Sequence, residues 1–424
     1  MPFDKVIDSA ALDAGMTATA DAIRAKTGSA DAIPWDSQRG FADAVEGIEA
    51  GRAYSEGDDV CFWDYDGTLL YSCTLAEAQA MTALPEPPDH SQDDIPLTFV
   101  EWNHTLDELH AVTWKADVGA TYKPTDDKTH FFLRITNKTG LTATVNYSYH
   151  SDLTVDWGDG TVDTIAGKSD NNAFTHDYAE CGTYHVSVVG TGNPGGTKGL
   201  VADKSMLVGK LVIRPAGWEW PNIQGQKLAS ESQIESVVIS GGAPTGTELF
   251  SNCRKLRHLN VPYAWKKSPS VSNCSAMKHI SLSGAAVSTE DYGLGSQGLE
   301  RVCLPDSVNL ASCRFTFRDG FSLREVRIPS ATTSIPARAF LNCYNLKDLI
   351  IPSTVTNINS DTTFSNAGIL DYYLHSTTPP TLGGTSAFTG IKNSTVIHVP
   401  AVALEDYKTA TNWATYADYM VGDL

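Results

Sequence analysis

The sequence predicts a mainly β, multi-domain chain: an N-terminal helical hairpin, two β modules, and a C-terminal solenoid of short repeats. Three observations predict it. An apolar pattern ending in proline recurs roughly every 21 to 26 residues through the second half. Two Asp-Gly-Thr turn signals, Asp66-Gly-Thr68 and Asp159-Gly-Thr161, sit between apolar-rich segments in the middle. Helical spacing is confined to about the first 50 residues. A chain of 424 residues has room for two to four domains rather than one core.

Residues 1–50 carry Leu12, Met16, Ala20 and Ile23 at the spacing of one helix face, stopped by Gly28. Asp36 is placed to N-cap a second helix bearing Phe41, Val45 and Ile48. Two short helices are marginal alone, so this segment is expected to attach or oligomerise. Residues 51–58 read as a linker. The run Ile7-Asp-Ser-Ala-Ala-Leu-Asp13, with Ile33-Pro-Trp-Asp36, resembles the N-terminal attachment segment of structural proteins from phages of gut bacteria.

Residues 59–124 form the first β module. Cys61-Phe-Trp-Asp-Tyr-Asp-Gly-Thr-Leu-Leu70 contains the D-x-D-G-T nucleophile motif of haloacid-dehalogenase-type phosphatases, which would make Asp64 the nucleophile and Asp66 the acid. That chemistry also needs a metal and later strand–helix units. The segment Leu84-Pro-Glu-Pro-Pro88 follows instead, so a hairpin turning on Asp66-Gly67 is the better expectation. The motif, then Leu97-Thr-Phe-Val-Glu-Trp102, then Asp117-Val-Gly-Ala-Thr-Tyr122, resembles the Listeria–Bacteroides repeat. The resemblance implies a β-grasp-like module with Trp102 as its main core aromatic.

Residues 125–200 carry Thr154-Val-Asp-Trp-Gly-Asp-Gly-Thr161, then His176-Asp-Tyr178, then Gly182-Thr-Tyr-His-Val-Ser-Val188. Tyr184, Val186 and Val188 alternate as one face of a strand. This order resembles a PKD domain, an immunoglobulin-like β-sandwich. The acids Asp156, Asp159 and Asp163 would suit Ca²⁺, but turn chemistry accounts for them. His176, Cys181 and His185 lie in an alternating strand context, which argues against zinc.

In residues 201–424, four segments share the pattern L-x-x-φ-x-φ-P with φ apolar: Leu256 to Pro262, Leu299 to Pro305, Leu323 to Pro329 and Leu346 to Pro352. Weaker copies run Ile234 to Ser240, Met277 to Ser283 and Ser394 to Pro400, with further copies ending at Arg214 and near His375; eight or nine repeats are expected. The φ-x-φ core is a short strand with two apolar residues on one face, and the proline ends it. One such strand cannot bury its face alone, so copies must stack. Phe250, Phe317 and Phe340 lie six residues before the leading Leu, and Cys253, Cys274 and Cys343 lie three before the leading Leu or Met, which predicts core filler and buried thiols rather than disulfides or metal ligands. Arg338-Ala-Phe-Leu-Asn-Cys-Tyr-Asn-Leu-Lys-Asp-Leu-Ile-Ile-Pro352 resembles the BspA-type leucine-rich repeat, and Tyr407-Lys-Thr-Ala-Thr-Asn-Trp413 its terminal cap.

A formal net charge of -19 disfavours nucleic acid and anionic membranes. No stretch reaches the roughly 18 apolar residues of a membrane span. The N-terminus carries no secretory pattern, which favours a particle-borne protein over an exported one. The expectation is a non-enzymatic virion appendage of tail-fibre, receptor-binding or head-fibre type, assembled in the host cytoplasm and facing outward. Residues 1–50 would hold other virion proteins, and the solenoid a host surface protein or glycan. A homo-oligomer is expected, with a trimer the first guess, and no cofactor. Alternatives are a BspA-like adhesin on the bacterial surface and a capsid decoration protein. Ligand contact is expected on an exposed stripe of the repeat sheet: His258, Asn260, His279, Ser281, Arg301, Glu325, Arg327 and Asp348. The same positions are also ordinary solvated strand residues.

Overall fold

The structure, a computed structural model, describes residues 59–424 apart from 138–139, 150–151, 166–167, 191–200, 203–205, 215–232, 242–249, 266, 287, 290–293, 314–315 and 360–361. The helical hairpin and the linker expected before residue 59 lie outside the described residues.

The chain is mainly β, with a mixed-sheet region ahead of a solenoid of about seven turns. The first sheet uses β1 (Val60–Trp63), β2 (Leu69–Cys73), β3 (Leu97–Trp102) and β4 (Ala116–Pro124) in the order β2-β1-β4-β3. Strands β1 and β4 run parallel at its centre, and both outer pairings are antiparallel. Two one-turn helices, α1 (Leu75–Gln79) and α2 (Leu106–His110), each begin with a Thr–Glu capping box. One face of the sheet buries Val60, Phe62, Val118 and Tyr122 with Leu109, and Trp102 meets Phe62 edge-on at 5.3 Å. The opposite face, carrying Cys61, Trp63, Asp117 and Gly119, is buried too. A sheet covered on both sides explains why β1 and the start of β4 lack the polar alternation of a half-exposed strand.

The hairpin expected at Asp66-Gly67 forms, but with a wider turn. Asp64 N–H donates to the Thr68 carbonyl and Gly67 N–H to the Asp64 carbonyl, so the loop is Asp64 to Thr68 rather than two residues. Gly67, at φ +91°, supplies the left-handed residue there.

Next come β5 (Thr129–Ile135), β6 (Thr142–Tyr149), β7 (Leu153–Asp156), β8 (Val162–Ile165), β9 (Lys168–Asp177), β10 (Gly182–Gly190), β11 (Val201–Ala202), β12 (Leu207–Val212) and β13 (Gln233–Val238). One sheet has the order β13-β12-β5-β10-β7-β8 and a second the order β11-β6-β9. Val186 and Val188 of β10 point into the core as their alternation requires, with Phe131, Leu133, Val155 and Trp157. Strand β12 pairs antiparallel with β5 on one side and parallel with β13 on the other. The second module therefore runs into the solenoid through one continuous sheet.

The solenoid's main series is β14 (His258–Asn260), β16 (His279–Ser281), β18 (Arg301–Val302), β19 (Glu325–Val326), β21 (Asp348–Ile351), β23 (Asp371–Leu374), β25 (Val396–Val399) and β26 (Met420–Gly422). A second series on another side comprises β15 (Lys267–Ser268), β17 (Ser288–Thr289), β20 (Ser334–Ile335), β22 (Asn357–Ile358) and β24 (Thr381–Leu382). All of these pairings are parallel. Equal phase does mean equal environment: Phe317, Phe340, Phe364 and Phe388 stack in a column at 5.2, 5.7 and 4.9 Å. The thiols of Cys274 and Cys343 donate to the carbonyls of Phe250 and Phe317 in the preceding turns, at 3.0 and 3.2 Å. Two residues after the Phe-phase position of six turns the backbone enters the left-handed region, at Asn252, Asn273, Asp319, Asn342, Asn366 and Gly390. Asn and Gly tolerate that conformation best. Their side chains also link successive turns, as in Asn273 to Asn252 at 3.0 Å and Asn342 to Asp319 at 2.7 Å.

At the far end, α3 (Leu404–Thr409) and a 3₁₀ turn over Trp413–Tyr419 close the core. Tyr407, Trp413 and Tyr416 are buried, and Trp413 donates to the Pro380 carbonyl at 2.7 Å. Without these rings the last Phe of the column, 5.0 Å from Tyr416, would face water.

Candidate binding face

The main strand series presents one residue of each φ-x-φ inward and its neighbours outward. The outward row of the proximal turns is His258, His279 and Arg301, with Asn260, Ser281 and Cys303 beside it. The expectation that these residues are exposed is overturned. His258, Asn260, Ser281 and Arg301 are buried, and His279 is mostly so, because the first β module lies across them.

The contact is polar and specific. Arg301 makes a buried ion pair with Asp117 of β4 at 2.5 Å, and Trp63 Nε1 donates to the same carboxylate at 2.9 Å. Asn260 Nδ2 donates to the carbonyls of Trp63 and Ala120 at 3.2 and 2.9 Å. Asn103 Nδ2 donates to the carbonyls of Val261 and Ser281 at 3.0 and 3.1 Å, and its Oδ1 accepts from Gly119 N–H at 2.7 Å. The His279 ring stacks on Trp63 at 4.4 Å. Gly119 leaves no room for a β-carbon because the Asn260 side chain fills that space. Burial pushes His279 down to about 4, against the pull of Asp117, and does the same to His104 against Glu108. Burial alone would raise Asp117, but Arg301 overrides it and holds the carboxyl at about 2.

Glu325 and Arg327 lie at the margin. Glu325 pairs with Lys115 of the module at 2.8 Å. Arg327 pairs with Asp306 at 2.7 Å and donates to Thr113 at 2.9 Å. A cleft of about 150 Å³ opens along this seam, lined in part by Thr113, Lys115, Asp306 and Arg327.

From Asp348 onward the face carries exposed residues. Parallel register aligns Asp348 with Asp371 and Val396, and Ile350 with Tyr373, His398 and Val421. Ile350 and Val421 are exposed, at 40% and 38%. Tyr373 and His398 stack face to face, 4.5 Å apart and 10° from parallel. His398 reaches Asp371 through Nε2 at 3.2 Å and Asp423 through Nδ1 at 3.0 Å. Burial works against charge on His398, but these two carboxylates outweigh it and raise its pKa. Burial, and then the neighbouring Asp371, raise Asp348. Of the eight stripe residues, Asp348 alone is exposed. Ile350, Tyr373, His398 and Val421 were missed, although the outward phase that selected Asp348 also selects Ile350.

The enzyme-like and metal-like groups are absorbed locally. Asp64 is buried, accepts from Tyr65 N–H at 2.8 Å and meets His90 Nε2 at 2.9 Å; Asp66 accepts from Thr68 N–H at 2.9 Å. Burial raises the Asp64 pKa in spite of His90. In the second turn signal, Asp156 accepts from Gly158 N–H, Asp159 from Thr161 and His176, and Asp163 from Trp157 Nε1. Among the described residues, no group of three or more His, Cys, Asp or Glu is arranged to hold a metal ion. None of the described helices is long and apolar enough to cross a membrane.

Comparison with known proteins agrees with the repeat geometry. No curated protein matches the sequence. Residues 222–313, 244–371 and 313–405 match the BspA type Leucine rich repeat region, with six copies. The C-terminal half of the chain is thus a β-solenoid of BspA-type leucine-rich repeats.

Proposed function

We propose that this chain is a non-enzymatic, surface-displayed binding protein of the BspA-like adhesin kind, and that the distal half of the solenoid sheet holds its ligand. The observation that carries this reading is the change along one sheet face. Its proximal turns are sealed by the chain's own first module, while the distal turns leave Ile350 and Val421 exposed and Tyr373 and His398 half-buried in register with them. A row of apolar and aromatic side chains on a rigid parallel sheet suits macromolecular recognition. The carboxylates of Asp64 and Asp66 are engaged in and around the hairpin turn, which supports a structural reading of the D-x-D-G-T segment.

The module resemblances fit a modular surface protein. The order β2-β1-β4-β3 with a central parallel pair supports the β-grasp likeness. Trp157 buried beneath the Gly158–Gly160 turn, with Tyr178 OH donating to its carbonyl at 3.0 Å, supports the PKD likeness. A particle appendage is a second reading, favoured by the resemblance of Ile7 to Asp13 and of Ile33 to Asp36, and it uses the same face. Antibody detection of the chain in purified particles or in the cell-envelope fraction separates the two.

The test of the binding face is an array of surface proteins and glycans probed with the whole chain and with the Ile350→Ala/Tyr373→Ala variant. Loss of the captured ligands in the variant is expected. Retention of every ligand would reject the distal face.

A further inference from the structure

On that reading of the distal face, we infer that its ligand is a protein presenting an extended lysine- or arginine-rich segment, with cations set on Asp348, Asp371 and Asp423 and aliphatic stems laid along Ile350, Tyr373 and Val421. Two features lead there.

The first is charge complementarity. Asp348 and Asp371 are neighbours in register on β21 and β23, and Asp371 connects through His398 to Asp423. The carboxylates thus run across four strands, about 15 Å at the usual strand separation. Alternate side chains of an extended segment lie about 7 Å apart, so two or three basic residues span the row. One imidazole between Asp371 and Asp423 cannot neutralise both, and Asp348 is exposed. Lysine and arginine also carry the apolar stems that cover exposed Ile350 and Val421 while the charge stays at the carboxylates.

The second is continuity with the covered half. There the same sheet face offers the cation Arg301 and takes the module's carboxylate Asp117, and at the margin Glu325 takes Lys115. Arg301 and Glu325 thus each meet the opposite charge in the module that covers them. In the distal half the sheet supplies the carboxylates, so the cover must supply cations.

Other occupants fit less well. A sugar would stack on an open aromatic face, and one face of Tyr373 is already taken by His398 at 4.5 Å. A second copy of the chain brings a net charge of -19 to an acidic face. Residues 1–58 are no better, with 5 Lys and Arg against 11 Asp and Glu.

The experiment is fluorescence anisotropy with the whole chain and a labelled ten-residue peptide of alternating lysine and serine. Saturable binding is expected. It should weaken at least tenfold in Asp348→Asn/Asp371→Asn/Asp423→Asn, and fall in 0.5 M salt, where exposed charges are screened. The charge-matched control Glu86→Gln/Asp107→Asn/Glu180→Gln should bind as the parent does. No binding of the lysine peptide, equal weakening in the control, or unchanged binding in the distal triple variant overturns the inference. Capture of a glycan that depends on Tyr373, without capture of the lysine peptide, overturns the cationic ligand but leaves the distal binding face standing. Loss of neither class of ligand on mutating the face removes both.

Discussion

The proximal and distal halves of one sheet face differ in what they lack. Both are built from the same repeat, with the same left-handed Asn positions behind them, although the stacked Phe column runs only from Phe317 to Phe388. In the proximal half, outward residues are mostly polar and buried, and Asn260, Ser281 and Arg301 are answered by atoms of β1, β4 or the segment around Asn103. In the distal half, apolar Ile350 and Val421 stand in solvent beside carboxylates. The usual rule of apolar inside and polar outside is inverted on this face. A buried polar residue here marks a contact already made, and an exposed apolar one marks a contact still to be made.

The largest expected effect breaks the covered half. Arg301→Ala leaves Asp117 buried without its cation, and should destabilise the protein by about 3–5 kcal/mol. Asp117→Leu/Arg301→Met, which removes both charges, should lose less than that single change. Denaturant titration of the three proteins checks this, and equal losses in single and double variants would show that packing rather than charge holds the seam.

Acid should act on the same half. His104 and His279 have folded pKa values of about 4, below the ordinary imidazole value near 6.5. The unfolded or undocked chain therefore binds the extra protons, and stability is complete above about pH 6.5 and lost as pH falls toward 4. For the fully buried His104 the loss approaches about 3 kcal/mol. Asp117, held at about 2, weakens only when pH drops below the ordinary carboxylate range. Hydrogen exchange at pH 7 and pH 5 should therefore show β1 and β4 losing protection before β21 and β23 do. Simultaneous loss in both regions would refute a local effect.

A smaller, steric effect is expected at Gly119. Its backbone conformation suits any residue, but a β-carbon there collides with the Asn260 side chain across the seam. Gly119→Ala should cost about 1–3 kcal/mol by overpacking, measurable as a shift of the denaturation midpoint. Gly119→Ala/Asn260→Gly, which also forfeits the Asn260 hydrogen bonds, should cost less than the sum of the two single changes, and simple additivity would place the strain within the module itself.

How far the sequence foretold this follows from where each residue's partner lies. Repeat phase fixes a residue's neighbours one turn away, so the Phe column, the buried thiols and the strand positions were readable from spacing alone. The left-handed Asn, Asp and Gly positions two residues after the Phe phase are legible by the same spacing, but as a polar rather than an apolar phase. The Asp117–Arg301 pair was not readable. Its partners are 184 residues apart, and nothing local in Arg301-Val-Cys-Leu304 distinguishes a solvated arginine from a buried one. A weak signal did exist, since Cys303 stands at an outward position where Arg327 stands one turn later. On the module side, Cys61-Phe-Trp63 and Val118-Gly-Ala120 lack the alternation of a one-sided strand, which already asks for a second covering layer. The turn at Asp64 was harder, because Asp-Gly favours a two-residue hairpin and the five-residue loop depends on His90 reaching Asp64 from elsewhere.

The smallest expected effect on stability falls on the distal half, and it sharpens the comparison most. Tyr373→Ala and Ile350→Ala remove side chains that only partly bury themselves, against neighbours on one face, so each should change stability by about 0.5 kcal/mol or less. A truncation in the sealed half, such as Trp63→Ala, deletes a buried ring with its hydrogen bond to Asp117 and should cost about 3–5 kcal/mol. Ligand capture should rank the variants in the opposite order, with the distal truncations losing binding while they stay folded. A residue retained for packing cannot show that inversion, because its removal costs stability at least as much as binding. Thermal melts paired with capture assays on the same three variants decide it. If Tyr373→Ala melts like Trp63→Ala, the distal row belongs to the core, and its exposure has been misread as availability.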